Sequence, residues 1–252
     1  MKISIVTVVY NGAATIASAI ESVIAQDHPD IEYIVIDGLS KDNTVEIVKS
    51  YGDKVSILVS EKDKGIFDAM NKGVGMATGD VIGILNADDY YASPTVLSTV
   101  ARELERSGAD SVFGDLVYVN PDRLDKVVRY YDASGFKLSR FEKGDMPPHP
   151  TFFVRRAAYE RFGNFDPQFR IVSDYDLMLR FLYIGQLSWV HVPIVMVTMR
   201  TGGNSDKGLQ TKIKLNREVL LSLKKNGVRS SRWKVYSKYF KKVFQLVRRP
   251  KR

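Results

Sequence analysis

Four short apolar runs rich in β-branched residues, Ile3–Val9, Ile31–Ile36, Val55–Val59 and Asp80–Leu85, alternate with three segments of helical apolar spacing, Ala14–Gln26, Asp42–Tyr51 and Gly65–Ala77. This alternation admits few folds. Strands joined by helices at this interval run parallel in one sheet with right-handed crossovers. Parallel strands present their carboxyl ends to one edge, where open α/β sheets bind ligands. The residues after each run are polar: Tyr10, Asn11 and Gly12; Asp37, Gly38, Ser40 and Asp42; Glu61, Lys62 and Asp63; Asn86, Asp88 and Asp89. Ser40 and Asp42 can also cap the helix that follows them. Four loops that end alike, three of them with carboxylates, point to a shared site.

Beyond residue 91 the pattern loosens. A helix is expected at Thr95–Arg106, and strands at Ser111–Val119 and Val127–Tyr131 about a turn at Asn120-Pro121-Asp122. A loop at Lys143–Pro150 follows, in which prolines bracket His149, then a strand at Thr151–Arg155. Helices at Ala157–Phe162 and Asp174–Ile184 and a strand at Trp189–Met199 complete the body. Cysteine is absent, which excludes disulfides, iron–sulfur clusters, thiolate zinc sites and a cysteine nucleophile. No stretch of about 18 apolar residues occurs, so no membrane-spanning helix is expected, and the opening residues lack a leader's cleavage pattern. Neither G-x-G-x-x-G nor G-x-x-x-x-G-K-[ST] is present, so the usual dinucleotide and P-loop phosphate cradles are missing.

Charge divides the chain of 252 residues. Its net charge is +8, yet residues 207–252 hold 16 Lys or Arg and a single acidic residue, Glu218. The first 206 residues are therefore mildly acidic, and a boundary is expected at the Thr201–Asp206 loop: a body at 1–206 and a basic helical tail at 207–252. Helices are expected at 209–224 and 230–248. The second has Trp233, Tyr236, Phe240, Val243, Phe244 and Val247 on one face, ringed by Lys and Arg. Such a helix suits the plane of an anionic membrane surface, or it docks its aromatic face on the body. Nucleic acid is not expected, since no groove-reading or base-stacking motif accompanies the charge.

Two carboxylate clusters offer chemistry. Asn86-Ala87-Asp88-Asp89 at a strand end suits a hard divalent cation, Mn²⁺ or Mg²⁺, held by few protein ligands plus phosphate oxygens. Read locally, it is also a turn with capping aspartates. Ser173-Asp174-Tyr175-Asp176-Leu177 opens a helix, where Asp serves as a cap or as a general base toward a hydroxyl. Arg180, on the same helix, can pair with a carboxylate or a phosphate.

These residues carry a family resemblance. Ile5-Val6-Thr7-Val8-Val9-Tyr10-Asn11 resembles the opening strand of glycosyltransferase family 2, and Asp37-Gly38-Leu39-Ser40-Lys41-Asp42-Asn43-Thr44 resembles its D-G-x-S-x-D-x-T loop. Asp63–Gly73 and Ala77-Thr78-Gly79-Asp80 resemble the approach to its metal motif, Asn86-Ala87-Asp88-Asp89 the motif itself, and Ser173–Leu177 its later E-D-x-D-L element. The matches cover about half the chain. The resemblance implies the α/β GT-A fold, a Rossmann-like, mainly parallel sheet flanked by helices.

It also implies roles. Thr7, Tyr10, Asn11, Asp37 and Asp63 would hold the donor nucleotide, and Lys72 or Lys64 would meet its diphosphate. Asn86, Ala87 and Asp88 would line the donor, with Asp88 and Asp89 binding the metal. Asp174 would be the base of an inverting transfer. His149, Asp176 and Arg180 would sit on the acceptor or phosphate side. Asn86 stands where the family usually has an aspartate and Ser173 where it usually has an acid. The Q-x-x-R-W element of processive synthases is absent, which favours transfer of a single sugar.

The expected activity is metal-dependent transfer from a nucleotide-sugar to a hydroxyl of a glycan acceptor, expected to be lipid-linked, in bacterial surface polysaccharide synthesis. The expected setting is cytoplasmic, peripheral on the inner face of the membrane. Two other readings stand beside it: a non-catalytic nucleotide- or sugar-binding membrane-docking module, and a sugar nucleotidyltransferase.

Overall fold

A computed structural model describes residues 1–202 and 208–236. The first half follows the sequence pattern closely. Strands β1 (Ile3–Val9), β2 (Ile31–Asp37), β3 (Ile57–Ser60) and β4 (Val81–Ile84) alternate with helices α1 (Ile16–Ile24), α2 (Thr44–Ser50) and α3 (Ile66–Met76). β1 pairs in parallel with β2 on one side and β4 on the other, and β2 pairs in parallel with β3. All seven residues of β1 are buried, the signature of a strand covered on both sheet faces. Ile16, Ala19, Ile20 and Val23 of α1 and Ala69, Met70, Gly73 and Val74 of α3 supply the covering faces. At Gly73 a Cβ would strike the Val6 side chain, so this glycine sets how closely α3 approaches the sheet.

Past β4 the sheet becomes mixed. The chain adds β5 (Asp89–Tyr91), α4 (Val96–Ser107), β6 (Ser111–Asn120), β7 (Arg123–Tyr131), β8 (Phe153–Arg155), α5 (Arg156–Phe162), α6 (Ser173–Met178) and β9 (Trp189–Arg200). The strand order is β3-β2-β1-β4-β8-β6-β9-β5, with β7 hanging from β6. β8 runs antiparallel to both β4 and β6, while β9 runs parallel to β6. β6 and β9 therefore point the same way as β1–β4, and their carboxyl ends reach the same edge.

The sequence pattern did not show β5, a three-residue strand. The helix expected at Asp174–Ile184 is α-helical only through Met178 and continues as a π-helical turn over Leu179–Ile184. Helix α7 (Gly208–Lys225) covers the expected 209–224. It lies against the body with Asn216, Val219, Ser222 and Leu223 buried. Helix α8 (Arg232–Tyr236) is the start of the expected 230–248 helix; Phe240, Val243, Phe244 and Val247 lie outside the described residues. In the described part, Val235 is buried and Trp233 is 88% exposed. The Lys234 ammonium meets the Glu142 carboxylate at 2.9 Å, and the Ser230 hydroxyl donates to the Glu142 carbonyl. No described helix is long and apolar enough to cross a membrane.

At the amino-terminal end of the strands, opposite the site, one buried carboxylate ties three segments together. Glu32 accepts hydrogen bonds from the Ser4 hydroxyl (2.6 Å), the Thr78 amide (2.7 Å) and hydroxyl (2.6 Å), and the Lys2 ammonium (2.9 Å). Burial alone would raise its pKa; the bonds from Ser4, Thr78 and Lys2 outweigh it and hold the group at about 2. By linkage this contributes about 3 kcal/mol at neutral pH, present above the ordinary carboxyl range and lost as pH falls toward 2. Glu32→Gln is therefore expected to lower unfolding stability at pH 7 by about that amount. In urea titrations the gap between variant and wild type should narrow between pH 4.5 and 2.

Candidate active site at the strand ends

The loops after β1, β2 and β3 are stitched by hydrogen bonds. Asp37, the last residue of β2, is fully buried. It accepts from the Ser40 amide (3.0 Å), the Ser40 hydroxyl and the Ser60 hydroxyl (2.6 Å). The Asn11 amide donates to the Ser40 hydroxyl (2.7 Å), and the Asn11 side-chain oxygen accepts from the Lys41 amide (2.8 Å). Asn11 reaches this geometry at φ +50°, a left-handed conformation that asparagine tolerates. Asp42 accepts from the Thr44 hydroxyl and amide and from the Ala13 amide; the Thr44 hydroxyl bond leads in holding it below the usual carboxylate range.

Gly38 is required where these loops meet. A Cβ there would strike the Asp63 carboxylate and lie 3.5 Å from the Tyr10 ring. Tyr10, Gly38 and Asp63 thus form one surface. Asp63 is half-buried and accepts from the Gly65 amide (2.8 Å), while Tyr10 is 58% exposed. Asp37 shapes this surface, because its carboxylate serves its own protein, and the Asn11 side-chain oxygen does the same. Thr7 lies farther in, buried, its hydroxyl accepting from Tyr33 (3.1 Å), away from the edge. Lys72 is also committed: its ammonium meets Glu61 at 2.8 Å and donates to the Lys62 carbonyl at 2.9 Å. The Glu61 hydrogen bond holds its pKa above the usual value. The Lys64 amide donates to Asp68 (3.0 Å), opening α3.

At the end of β4, Asp88 is half-buried and its carboxylate accepts no hydrogen bond among the described residues. Asp89 is turned inward and fully buried. Burial, then the neighbouring Asp88, raise its pKa well above the usual value, against Asn86 and Arg200. The Asn86 amide donates to one Asp89 oxygen (3.2 Å); the other Asp89 oxygen and the Asn86 side-chain oxygen are buried without a partner. Buried polar atoms are normally satisfied. Ala87 is buried. The local donor set, the Asp88 carboxylate with the side-chain oxygens of Asn86 and Asp89, is of the hard oxygen type, which fits a divalent cation of the Mg²⁺ or Mn²⁺ class. Among the described residues no three acidic or histidine side chains form a ready-made cage. The set therefore suits a metal that takes its remaining ligands from phosphate and water.

Arg200, at the end of β9, braces this turn. It donates to the Asp88 carbonyl (2.5 Å) and the Ser18 hydroxyl (2.8 Å) and lies 5.1 Å over the Tyr90 ring. Sequence reasoning missed Arg200; its signal was an arginine closing a strand that ends at the shared edge.

The second cluster separates two neighbouring aspartates. Asp176 is buried and fully engaged: Arg180 meets it at 2.8 Å, the Ser222 hydroxyl at 2.7 Å and the Asn226 amide at 2.9 Å. Arg180 also donates to the carbonyls of Phe162 (2.6 Å), Gly163 (3.2 Å) and Asn164 (2.7 Å), capping α5. Asp176 and Arg180 hold α5, α6 and α7 together, with four of the five guanidinium N–H groups given to the protein itself. Asp174 differs. It is half-buried and accepts backbone amides, that of Tyr175 at 2.8 Å, but no side chain. Burial raises its pKa to about 6 against those backbone bonds.

A clamp joins the two halves. The Asn71 side chain of α3 donates to the Phe165 carbonyl (2.8 Å) and accepts from the Phe165 amide (2.9 Å). The Phe165 ring stacks on Phe67 at 5.6 Å and meets the edge of His149, also at 5.6 Å. The Ser173 hydroxyl, opening α6, donates to the Asp166 carbonyl (2.9 Å). The 165–173 segment thus sets His149 and the start of α6 relative to α3. His149 is buried, which lowers its pKa to about 4 and keeps the ring neutral at pH 7. Asn71 lay inside the sequence motif but carried no assigned role, since a two-point backbone clamp leaves no local spacing signature.

Comparison with known proteins gives the family and the fold. The family profile "Glycosyl transferase family 2" matches residues 4–163, and the chain belongs to that family. A Mycobacterium bovis "PGL/p-HBAD biosynthesis glycosyltransferase" is 28% identical over 181 residues, covering 70% of this chain and 68% of that protein. A Mycobacterium tuberculosis glycosyltransferase is 31% identical over 180 residues, 71% of this chain and 68% of its own length. Among solved structures, S. aureus TarS 1–349 in complex with UDP-GlcNAc superposes with a TM-score of 0.71 at 19% identity, covering 88% of this chain and 66% of that one. The mannosyltransferase PcManGT of Pyrobaculum calidifontis, in complex with GDP-Man and Mn²⁺, gives 0.65 at 18%, covering 89% and 63%. Against the longer TarS chain, this protein spans 40% of its length. The fold is that of the GT-A glycosyltransferases, as the sequence implied.

The Arg180 clasp makes a stability prediction. Arg180→Ala would leave Asp176 buried without its cation and three carbonyls at and just past the end of α5 without this donor, and is expected to cost about 3 kcal/mol in urea unfolding. Arg180→Lys should recover little, because one ammonium cannot span the carboxylate and the carbonyls together.

Proposed function

We propose that the protein is a metal-dependent, inverting glycosyltransferase that moves one sugar from a nucleoside-diphosphate sugar to a hydroxyl of a lipid-linked glycan. The observation that carries this reading is the contrast at α6. Asp176 is saturated by protein partners, whereas Asp174 is half-buried, takes no side-chain hydrogen bond and has a pKa near 6. A carboxylate so held accepts a proton near neutral pH while keeping enough basicity to serve in the transition state.

The donor assignment is supported by the surface of Tyr10, Gly38 and Asp63 and by the neighbours in complex with UDP-GlcNAc and GDP-Man. A divalent metal at Asp88, with the orphaned oxygens of Asn86 and Asp89 beside it, would neutralise the leaving diphosphate. The rest is this chain's work. Asp174 removes the proton from the acceptor hydroxyl as that oxygen attacks the anomeric carbon. The new glycosidic bond forms as the bond to the diphosphate breaks on the opposite face, which inverts the configuration. His149, neutral and fixed against Phe165, walls the region between α3 and α6 without adding charge. On the membrane side, exposed Trp233 next to Arg232 supports contact with an anionic surface.

Two measurements test the reading. Thermal shift with UDP, GDP, dTDP and CMP, each with Mn²⁺, Mg²⁺ or EDTA, should show one nucleotide that stabilises by about 2.7 kcal/mol at a hundredfold excess over Kd. That stabilisation should vanish with EDTA and in Asp88→Ala. No shift with any nucleotide would sink the donor site. For the base, Asp174→Asn should lower kcat by about 10²–10⁴-fold while leaving the nucleotide shift intact. The wild-type rate should rise with pH through about 6, as Asp174 loses its proton, and a variant that keeps this limb would overturn the assignment.

A further inference from the structure

Away from the strand ends, α7 and the loop before α6 enclose an open groove of about 720 Å³. Its α7 wall is a stripe at helical spacing, Lys214, Arg217, Leu221 and Lys224, all exposed. Phe169 lines the other side, almost buried. The groove's remaining charges are committed. Lys225 pairs with Asp166 and lies 5.8 Å over the Phe169 ring. Glu218 accepts the backbone amides of Ile171 (2.9 Å) and Val172 (3.3 Å). Lys214, Arg217 and Lys224 form no ion pair among the described residues.

Three unneutralised cations interrupted by an exposed leucine match a ligand that joins clustered negative charge to an apolar chain. Arginine grips phosphate oxygens in pairs and lysine adds point charge. The groove's position gives the ligand a role. Glu218 clasps the two residues that lead into α6, and Asp174 lies in the first turn of that helix. Ser222 and Asn226, on α7 and just past it, hold Asp176. The groove wall and the proposed base are therefore mounted on one unit.

We propose that this groove seats the diphosphate of a lipid-diphosphate acceptor, placing the attached sugar beside Asp174. The proposal rests on the glycosyl-transfer reading above and goes beyond it by assigning the acceptor's anionic end to α7. Because the three cations are exposed, K214E/R217E/K224E should fold as wild type does, with an unchanged melting temperature.

The test titrates the full chain calorimetrically with farnesyl diphosphate, farnesol, inorganic pyrophosphate and the nucleoside diphosphate that gives a thermal shift. Farnesyl diphosphate is expected to bind at least tenfold more tightly than farnesol or pyrophosphate. The triple variant should weaken it at least tenfold and leave nucleotide affinity unchanged. Absence of farnesyl diphosphate binding overturns the proposal. So does binding that nucleotide displaces and the triple variant does not alter, which puts the probe in the donor site. Equal binding of pyrophosphate overturns it in favour of a free-phosphate site. Loss of sedimentation with phosphatidylglycerol vesicles in the triple variant, with farnesyl diphosphate binding intact, overturns it in favour of a membrane headgroup site. If no nucleotide binds while farnesyl diphosphate behaves as expected, the donor reading fails and the lipid-diphosphate groove stands.

Discussion

Everything in this molecule depends on β1 being hydrogen-bonded in parallel on both sides. With β2 in register along its whole length and β4 along its first half, the strand ends at residues 9, 37, 60 and 84 fall on one edge. The polar loops that follow have no choice but to converge there. A buried parallel strand must also be apolar on both faces, so chemistry is displaced from the strands to the loops. This is why the functional groups lie just past the last strand residues and not within them. Thr7, inside β1, shows the rule from the other side: its hydroxyl is consumed by Tyr33.

Environment, more than residue type, divides the labour among the carboxylates. Asp37, Asp176 and Glu32 are saturated by hydrogen bonds and act as fasteners between segments. Asp88 and Asp174 are half-buried and without side-chain partners among the described residues, which leaves them open to a ligand. Asp89, buried with one of its own oxygens orphaned and that of Asn86 unpartnered too, lies between these classes. A chain with many acids near one edge needs this division, because unsatisfied buried carboxylates are costly.

The parallel half was legible because each strand there is a short β-branched run and each helix keeps a clear apolar face, as in Ile16, Ala19, Ile20 and Val23 of α1. Less could be read beyond residue 85. β5 is three residues long and owes its conformation to pairing with Met199 and Val197, a hundred residues away. The π-helical turn after Met178 repeats apolar residues much as an α-helix would, so periodicity does not distinguish them. At the site, the motif residues were visible, but their division into fasteners and free groups was not. Asp174 and Asp176 are two positions apart in the same polar setting in sequence; besides Arg180, it is Ser222 and Asn226, nearly fifty residues later, that separate their roles.

The strand order carries a consequence for how the chain is made. β4 has its inner partner β1 early, but its outer partner β8 arrives only with Phe153, whose ring packs against Gly83. Until then the growing protein presents an apolar parallel sheet open along β4 as well as along β3, and at Gly83 the β4 edge has no side chain to shield it. Open, flat, apolar edges template association with other chains, and non-local strand pairing closes slowly. The interval of some seventy residues between β4 and β8 is thus a window of vulnerability during synthesis, and its end is set by translation reaching a single phenylalanine.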